Sequence, residues 1–240
     1  MTRFDLHVHT ALSACAEDIM SPRQVLLRAR ETGLTVLAIA DHNASAHVEP
    51  ARRLGRDCGI VVIPGMEVES REEVHILAYF TDLPALAEFQ VLVDQALPPE
   101  QNAPEVFGNQ LIYDEQDEIV GIDERLRQVG TGLGIEDIIR AVRGLGGAVV
   151  PAHVHRRRTS LLSQLGFVDP AADFDAVEVA RPEWVKSGLR LGARVDGFPA
   201  ITGSDAHFLE DVGRLGLELE VDVDDIHALI RGVRELEAAA

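Results

Sequence analysis

Short apolar runs alternate with amphipathic segments along most of the 240 residues. This is the pattern of βα units packed about a mainly parallel sheet. The first run is Phe4-Asp5-Leu6-His7-Val8-His9-Thr10. A helix follows: Ser21 suits its N-cap, Pro22 its first position, Val25, Leu26 and Ala29 form an apolar stripe, and Gly33 can end it in a left-handed conformation. The pattern then predicts a buried strand from Leu34 to Ala40, a helix from Ala44 to Cys58, a strand from Ile60 to Ile63, a strand from Val74 to Phe80 and a helix from Pro84 to Gln95.

Between Ala96 and Gly134 the alternation lapses into Pro98, Pro99 and Pro104, an acidic stretch from Asp114 to Glu118, and Gly130, Gly132 and Gly134. An excursion of this length within a compact domain is usually functional or mobile, and residues 96–134 read as an insertion or lid. Alternation resumes with a helix from Ile135 to Leu145, strands at Gly147 to Ala152 and Ala176 to Val179, a helix around Trp184 to Ala193, a strand at Pro199 to Thr202 and a helix from Val223 to Leu236, with Ala238 to Ala240 as a frayed end. Some seven strands, each followed by helix or loop, suit a distorted α/β barrel better than an open sheet, and residues 1–240 are read as a single domain.

A hydrophobic content of 46% supports a buried core. Neither a secretory signal nor an apolar run of roughly 18 residues is present, so the expectation is a soluble, cytoplasmic protein. Two cysteines, Cys15 and Cys58, are too few for a disulfide framework or a four-thiolate zinc site. A formal charge of -18 counts against long duplex nucleic acid, whose binding relies on Lys and Arg against phosphate. It leaves room for a nucleotide held at a local cationic site. The run Arg156-Arg157-Arg158 could form one, although such a run equally suits a solvated loop.

Residues two apart on a strand point the same way, so His7 and His9 can face one divalent ion. Comparable groups stand just past other predicted strands: Asp41-His42, Glu67, His153, and Asp205 with His207. In α/β barrels the chemistry collects at the C-terminal ends of the strands. His75 opens rather than closes its run. His47 and His227 lie in helical patterns and read as ordinary surface or core histidines. His155 repeats the His-x-His spacing with His153 and is a candidate for the substrate pocket. The glycines at 130–134 and 144–147 lack the Lys-Ser/Thr and the strand-glycine-helix order of a phosphate loop.

Taken in order, His-x-His, Asp-His, Gly65-Met66-Glu67, His75, Pro151-Ala152-His153 and Gly203-Ser204-Asp205-Ala206-His207 resemble the motifs of the polymerase and histidinol phosphatase (PHP) superfamily. The wording around Arg71 to Leu77 and Gly108 to Tyr113 is similar to a bacterial branch of metal-dependent phosphoesterases. The resemblance runs from Asp5 to His207. It implies a distorted (β/α)7 barrel of the TIM-like kind holding two or three divalent ions, Zn, Mn or Fe. His7, His9, Glu67 and Asp205 would hold one ion, and Glu67, His75 and His153 a second. His42, His207 and a residue of the loop after His9 would hold a third. Counting back from Ser21-Pro22 favours Glu17 for that loop residue, with Asp18 and Cys15 as alternatives.

The expected activity is hydrolysis of a small phosphorylated substrate, a nucleotide or short oligonucleotide, by metal-activated water. Asp205 and His207 are the candidate catalytic groups. Arg156 and His155 are the candidate substrate contacts, because a guanidinium matches two phosphoryl oxygens in a fork. The alternatives are an exonuclease on single-stranded nucleic acid, hydrolysis of a non-phosphate bond, and a metal-binding module without catalysis.

Overall fold

The computed structural model describes residues 1–191, 193–220 and 223–238. Ala239 and Ala240, expected as part of a frayed end, and Gly192, within the helix expected around Trp184, lie outside them. The chain begins β1 (Thr2–Val8), α1 (Pro22–Glu31), β2 (Val36–Ile39), α2 (Val48–Cys58), β3 (Val61–Glu69), β4 (His75–Tyr79), α3 (Leu83–Ala96) and α4 (Pro104–Phe107). A hairpin of β5 (Leu111–Tyr113) and β6 (Ile119–Ile122) follows, then α5 (Ile135–Gly144), β7 (Ala148–Pro151), α6 (Leu161–Gln164), β8 (Val177–Glu178) and α7 (Arg181–Lys186). The last elements are β9 (Arg194–Val195), β10 (Phe198–Ile201), a 3-10 turn at Leu209–Asp211, β11 (Leu217–Leu219) and α8 (Ile226–Ala238). Among the described residues, no helix is long and apolar enough to cross a membrane.

Local chemistry places these elements much as the pattern predicts. Ser21 accepts from the Gln24 N–H at 3.2 Å to cap α1, its Val25, Leu26 and Ala29 are buried, and Gly33 beyond the end has φ +74. Of the elements that differ, three shape the two sheets. β3 continues through Pro64 and Gly65 to Glu69, because Pro64 forfeits only its own donor while its carbonyl accepts from Phe80 N–H at 2.8 Å. The helix expected around Trp184 to Ala193 is confined to Arg181–Lys186, and the chain turns at Gly188 into β9. β11 was not expected, and it pairs antiparallel with the start of β1, Thr2 opposite Leu219.

The six-stranded sheet has the order β11-β1-β2-β3-β4-β7. β1, β2 and β3 are parallel, and β4 runs antiparallel to both β3 and β7. A smaller sheet, β8-β10-β9, meets the large one on both sides. Asp175 N–H donates to Val149 and Val154 N–H to Glu178, while His9 and Ala206 N–H groups donate to Ala206 and His7 carbonyls across the Val8–Ala206 bridge. The result is an α/β fold with a strongly curled sheet. Its inner side buries Phe4, Leu6, Ala38, Ile63, Tyr79 and Val150, and α8 packs Ile226, Leu229 and Val233 into the same cluster.

Within that interior the Tyr79 hydroxyl donates to the Leu6 carbonyl of β1 at 2.8 Å. Tyr79→Phe removes this bond without changing the packed ring. The expected cost is about 1 kcal/mol, read as a lower urea midpoint with an unchanged slope.

Candidate metal centre

One end of the curled sheet gathers the histidines and carboxylates. β1 delivers His7 and carries the chain to His9, His42 follows β2, Glu67 stands in β3, His153 follows β7, and Asp205 and His207 follow β10. His75 joins them from the beginning of β4. Because β4 is antiparallel, its first residue lies at the same end as the others' last. Glu67 is pinned to the segment that follows β2, its N–H donating to the Asp41 carbonyl and its own carbonyl accepting from Asn43 N–H. Asn43, His153 and Asp205 all have left-handed backbones, at φ 49, 30 and 50. Such strain in non-glycine residues persists where surrounding structure over-determines it, and it clusters at functional sites.

Glu67 is the centre of the cluster and is 1% exposed. Its Oε1 lies 3.0 Å from His75 Nδ1, 3.3 Å from His153 Nε2 and 3.4 Å from His7 Nε2. Its Oε2 lies 3.0 Å from His42 Nδ1 and 3.4 Å from His9 Nε2. Asp205 Oδ1 approaches the same pair, His7 at 3.4 Å and His9 at 3.3 Å. Despite this proximity, both Glu67 oxygens, His75 Nδ1, both His153 nitrogens and Asp205 Oδ1 are buried without a hydrogen bond. Among the described residues, three sets of ligand atoms each lie within 4.8 Å of one another: His9, His42 and His207; His7, His9 and Glu67; and His42, Glu67 and His75. Buried lone pairs facing one another, without donors, match what a divalent cation requires.

The electrostatics agree. Burial opposes charge on Glu67, but His75, His7 and His42 outweigh it and hold the carboxyl well below the usual carboxylate range. Asp205 is likewise ionised, burial being outweighed by His7 and His9. Burial works against a charged His7, yet Glu178, Glu67 and Asp205 carry it well above the ordinary histidine value. Burial and the adjacent His207 and His42 push His9 the other way, well below it.

Two buried carboxylates fix the first two imidazoles from behind. His7 Nδ1 lies 3.1 and 3.0 Å from the two Glu178 oxygens, which turns Nε2 towards Glu67 and Asp205. Gly203 makes room for this contact: a Cβ there would stand 2.6 Å from His7 Cβ and 2.7 Å from Glu178 Oε1. On the other side Ser13 Oγ donates to Asp41 Oδ1 at 2.7 Å. His9 Nδ1, 3.0 Å from the same hydroxyl, must therefore donate to it, which leaves the His9 Nε2 lone pair facing inward. The two Nε2 atoms are 3.1 Å apart. Glu178 was not singled out by the sequence, though a Glu inside the run Ala176-Val177-Glu178-Val179-Ala180 was a usable signal.

The remaining sequence candidates separate clearly. Arg156 reaches the site with Nη1 3.0 Å from Asp205 Oδ2, and His155 beside it is exposed. Glu17 is exposed, meeting His207 through its backbone N–H, and Asp18 accepts from Asn109 Nδ2. Cys15 is the loop residue against the histidines. Burial would raise its thiol, but hydrogen bonds to His207 and His42 bring it from 9.0 down to about 6. His47 is buried, and His227 contacts the Gly146 carbonyl away from the cluster.

The chain matches a family model described as the PHP domain over residues 5–120 and a second described as PHP-associated over residues 192–238. It is 32% identical over 78 residues, 31% of the chain, to a 5'-3' exoribonuclease of Haemophilus influenzae. It is 37% identical over 90 residues, 35% of the chain, to the phosphoribosyl 1,2-cyclic phosphate 1,2-diphosphodiesterase of Eggerthella lenta. The matched stretches span only 27% and 33% of these relatives. Among solved structures, the lesion-specific endonuclease Q of Pyrococcus furiosus superposes with a TM-score of 0.61 at 19% identity, covering 98% of this chain and 56% of that one. An endonuclease Q complex with a 27-mer duplex carrying an abasic lesion aligns equally well at 18% identity.

Removing the carboxylate behind His7 tests the arrangement. Glu178→Ala is expected to lower affinity for a divalent metal by about 10–100-fold while the circular dichroism spectrum is retained. Glu178→Gln, which keeps an acceptor for Nδ1–H, should recover most of the loss in a metal titration.

Proposed function

The chain belongs to the PHP family, and on that premise we propose that it is a metal-dependent phosphoesterase that hydrolyses a small phosphorylated substrate, a nucleotide or short oligonucleotide. The observation that carries this reading is the convergence of buried, unpartnered ligand atoms on Glu67. His7, His9, Glu67 and Asp205 would hold one ion, and Glu67, His75 and His153 a second. Cys15, rather than Glu17, would complete a third position with His42 and His207, because its thiol meets both imidazoles. Mixed imidazole and carboxylate donors suit Zn, Mn or Fe. Residues 1–240 then form a single PHP domain on a distorted (β/α)7 barrel, with 96–134 inserted as one wall of the site.

Bound there, divalent ions polarise a phosphoryl group and acidify water. The chain's own groups supply the rest. Asp205 is ionised and accepts a proton from the attacking water. His207 has its Nδ1 2.8 Å from the Asp205 carbonyl, which can only accept, so Nδ1 carries a hydrogen and donates to it. Burial lowers the His207 proton affinity, but Cys15 and Asp205 raise it overall, which suits His207 to protonate the leaving group in a two-ion form, where its Nε2 is not engaged at the third position. Arg156, half exposed beside Asp205, presents its guanidinium to the phosphate.

A single-stranded nucleic acid is the second reading, favoured by the exposed run Arg156-Arg157-Arg158 next to His153 and by the exoribonuclease among the relatives. The expectation against long duplexes rests on net charge alone, since an endonuclease of the same fold engages a duplex.

Protein purified without chelator should carry two or three ions per chain and release phosphate from a panel of nucleotides, short oligonucleotides and sugar phosphates, with turnover abolished by chelation. His9→Ala and Asp205→Asn should each reduce turnover by more than the roughly 10–100-fold attached to an outer-shell loss, in folded protein. Near-normal turnover in both variants would refute the assignment. Bound metal without turnover on any phosphoester would move it to a non-phosphate bond or to a module without catalysis.

A further inference from the structure

The β5–β6 hairpin sits on the two loops that carry His9 and His42. Leu111 N–H donates to the Ala11 carbonyl at 2.8 Å, and the Tyr113 hydroxyl to the Asp18 carbonyl at 2.9 Å. Gly108, at φ +104, lies so near Ala14 that a Cβ would stand 2.0 Å from its carbonyl oxygen, so only glycine permits this approach. One further contact enters the interior: the Tyr113 N–H donates to His47 Nε2 at 2.8 Å.

His47 is fully buried, and burial keeps its imidazole neutral against the nearby Asp41. With Nε2 accepting, the ring proton sits on Nδ1, which lies 2.7 Å from Thr10 Oγ1 and donates to it. Thr10 Oγ1 donates in turn to Asp41 Oδ2 at 2.6 Å. Asp41 Oδ1 takes the Ser13 hydroxyl, and Ser13 takes the proton of His9 Nδ1. Each donor in this chain has one acceptor, so every bond has a fixed direction, the arm from the hairpin amide and the arm from His9 both donating towards the Asp41 carboxylate. We infer that His47 is a positioning residue that couples docking of the β5–β6 hairpin to the orientation of His9, and so to the affinity of the metal site. This rests on His9 being a ligand, as proposed above. Linkage makes the coupling reciprocal: whatever factor hairpin docking adds to metal affinity, bound metal adds to hairpin docking.

Two substitutions cut the chain at different ends. In His47→Gln the amide oxygen can take the place of Nε2 and hold Tyr113, but nothing donates to Thr10. In His47→Asn the amide nitrogen can take the place of Nδ1 and donate to Thr10, but Tyr113 loses its acceptor. The experiment titrates Mn or Zn into chelator-stripped full-length protein and follows hydrogen exchange of the Tyr113 amide with and without metal. In the unaltered chain, metal should slow that exchange by about fivefold or more. His47→Asn should exchange faster at Tyr113 whether or not metal is present, and should bind metal more weakly, by no more than the factor by which metal slows that amide in the unaltered chain. His47→Gln should keep the amide protected, lose its response to metal, and bind metal about fivefold or more weakly. A Tyr113 amide indifferent to metal in the unaltered protein overturns the coupling without any variant. Unchanged affinity in folded His47→Gln overturns the role of His47. Failure of the unaltered protein to bind metal at all removes the proposed function together with this inference.

Discussion

A carboxylate withdrawn from water and ringed by five imidazoles sets the terms for the rest of this structure. Taking a carboxylate out of water costs several kcal/mol even after relaxation, and the cost is offset only by concentrated positive charge in good geometry. Around Glu67 the nearest imidazole nitrogens stand at 3.0 to 3.4 Å. Protons alone are a poor counter-charge here, because each imidazolium disfavours the next. The lowered His9 beside His42 and His207 is the visible result. A divalent cation places two charges at one point and satisfies several lone pairs together, which histidinium ions spread over the ring do not.

That demand explains the supporting architecture. His7 and His9 are two residues apart on the same chain, yet different elements orient them. Glu178 of β8 reaches His7 from one side, and Asp41 after β2 reaches His9 through Ser13 from the other. Both act on Nδ1, so both rings present Nε2 to the same space. An error in strand register at β8 or β10 would remove Glu178 from His7, and the cramped Gly203 contact shows how little slack remains. The curl of the sheet is what brings β8 and β10 round to β1, so closure of the fold and tautomer selection at the site depend on the same backbone pairings.

Much of this was legible in the chain. Strand periodicity located β1, β2, β7 and β10, and the Ser21-Pro22 cap located α1. The same periodicity put His7, His42 and His153 at strand ends. His75 stood apart in that reading because periodicity carries no information about strand direction, and only the antiparallel course of β4 brings it to the common end. Glu178 carries no such mark, because a residue that buttresses a histidine from behind follows no spacing rule relative to it. It is 171 residues from His7. The same holds for His47, whose helical setting suggested an ordinary histidine while its two nitrogens bridge segments 37 and 66 residues away. The hairpin within 96–134 is hard to see in the sequence because its apolar runs, Leu111–Tyr113 and Ile119–Ile122, are only three and four residues long and show no alternation of apolar and polar positions.

Net charge says less about the substrate than the few groups at the mouth. At physiological ionic strength the screening length is about 8 Å, so a charge of -18 spread over the surface acts weakly inside the cleft. There Arg156 pairs with the outward oxygen of Asp205, while the inward oxygen faces His7 and His9. The arginine side chain is 47% exposed, and a pair so open to water holds its partners only loosely. On the proposed function, an arriving phosphate would meet a guanidinium beside Asp205 that is held there without a strong competing bond. Arg157 and Arg158 extend the cationic edge away from it. A compact anion can use the first of these groups alone, whereas a longer one would follow all three, so the distance over which affinity responds to this run measures the length of the substrate.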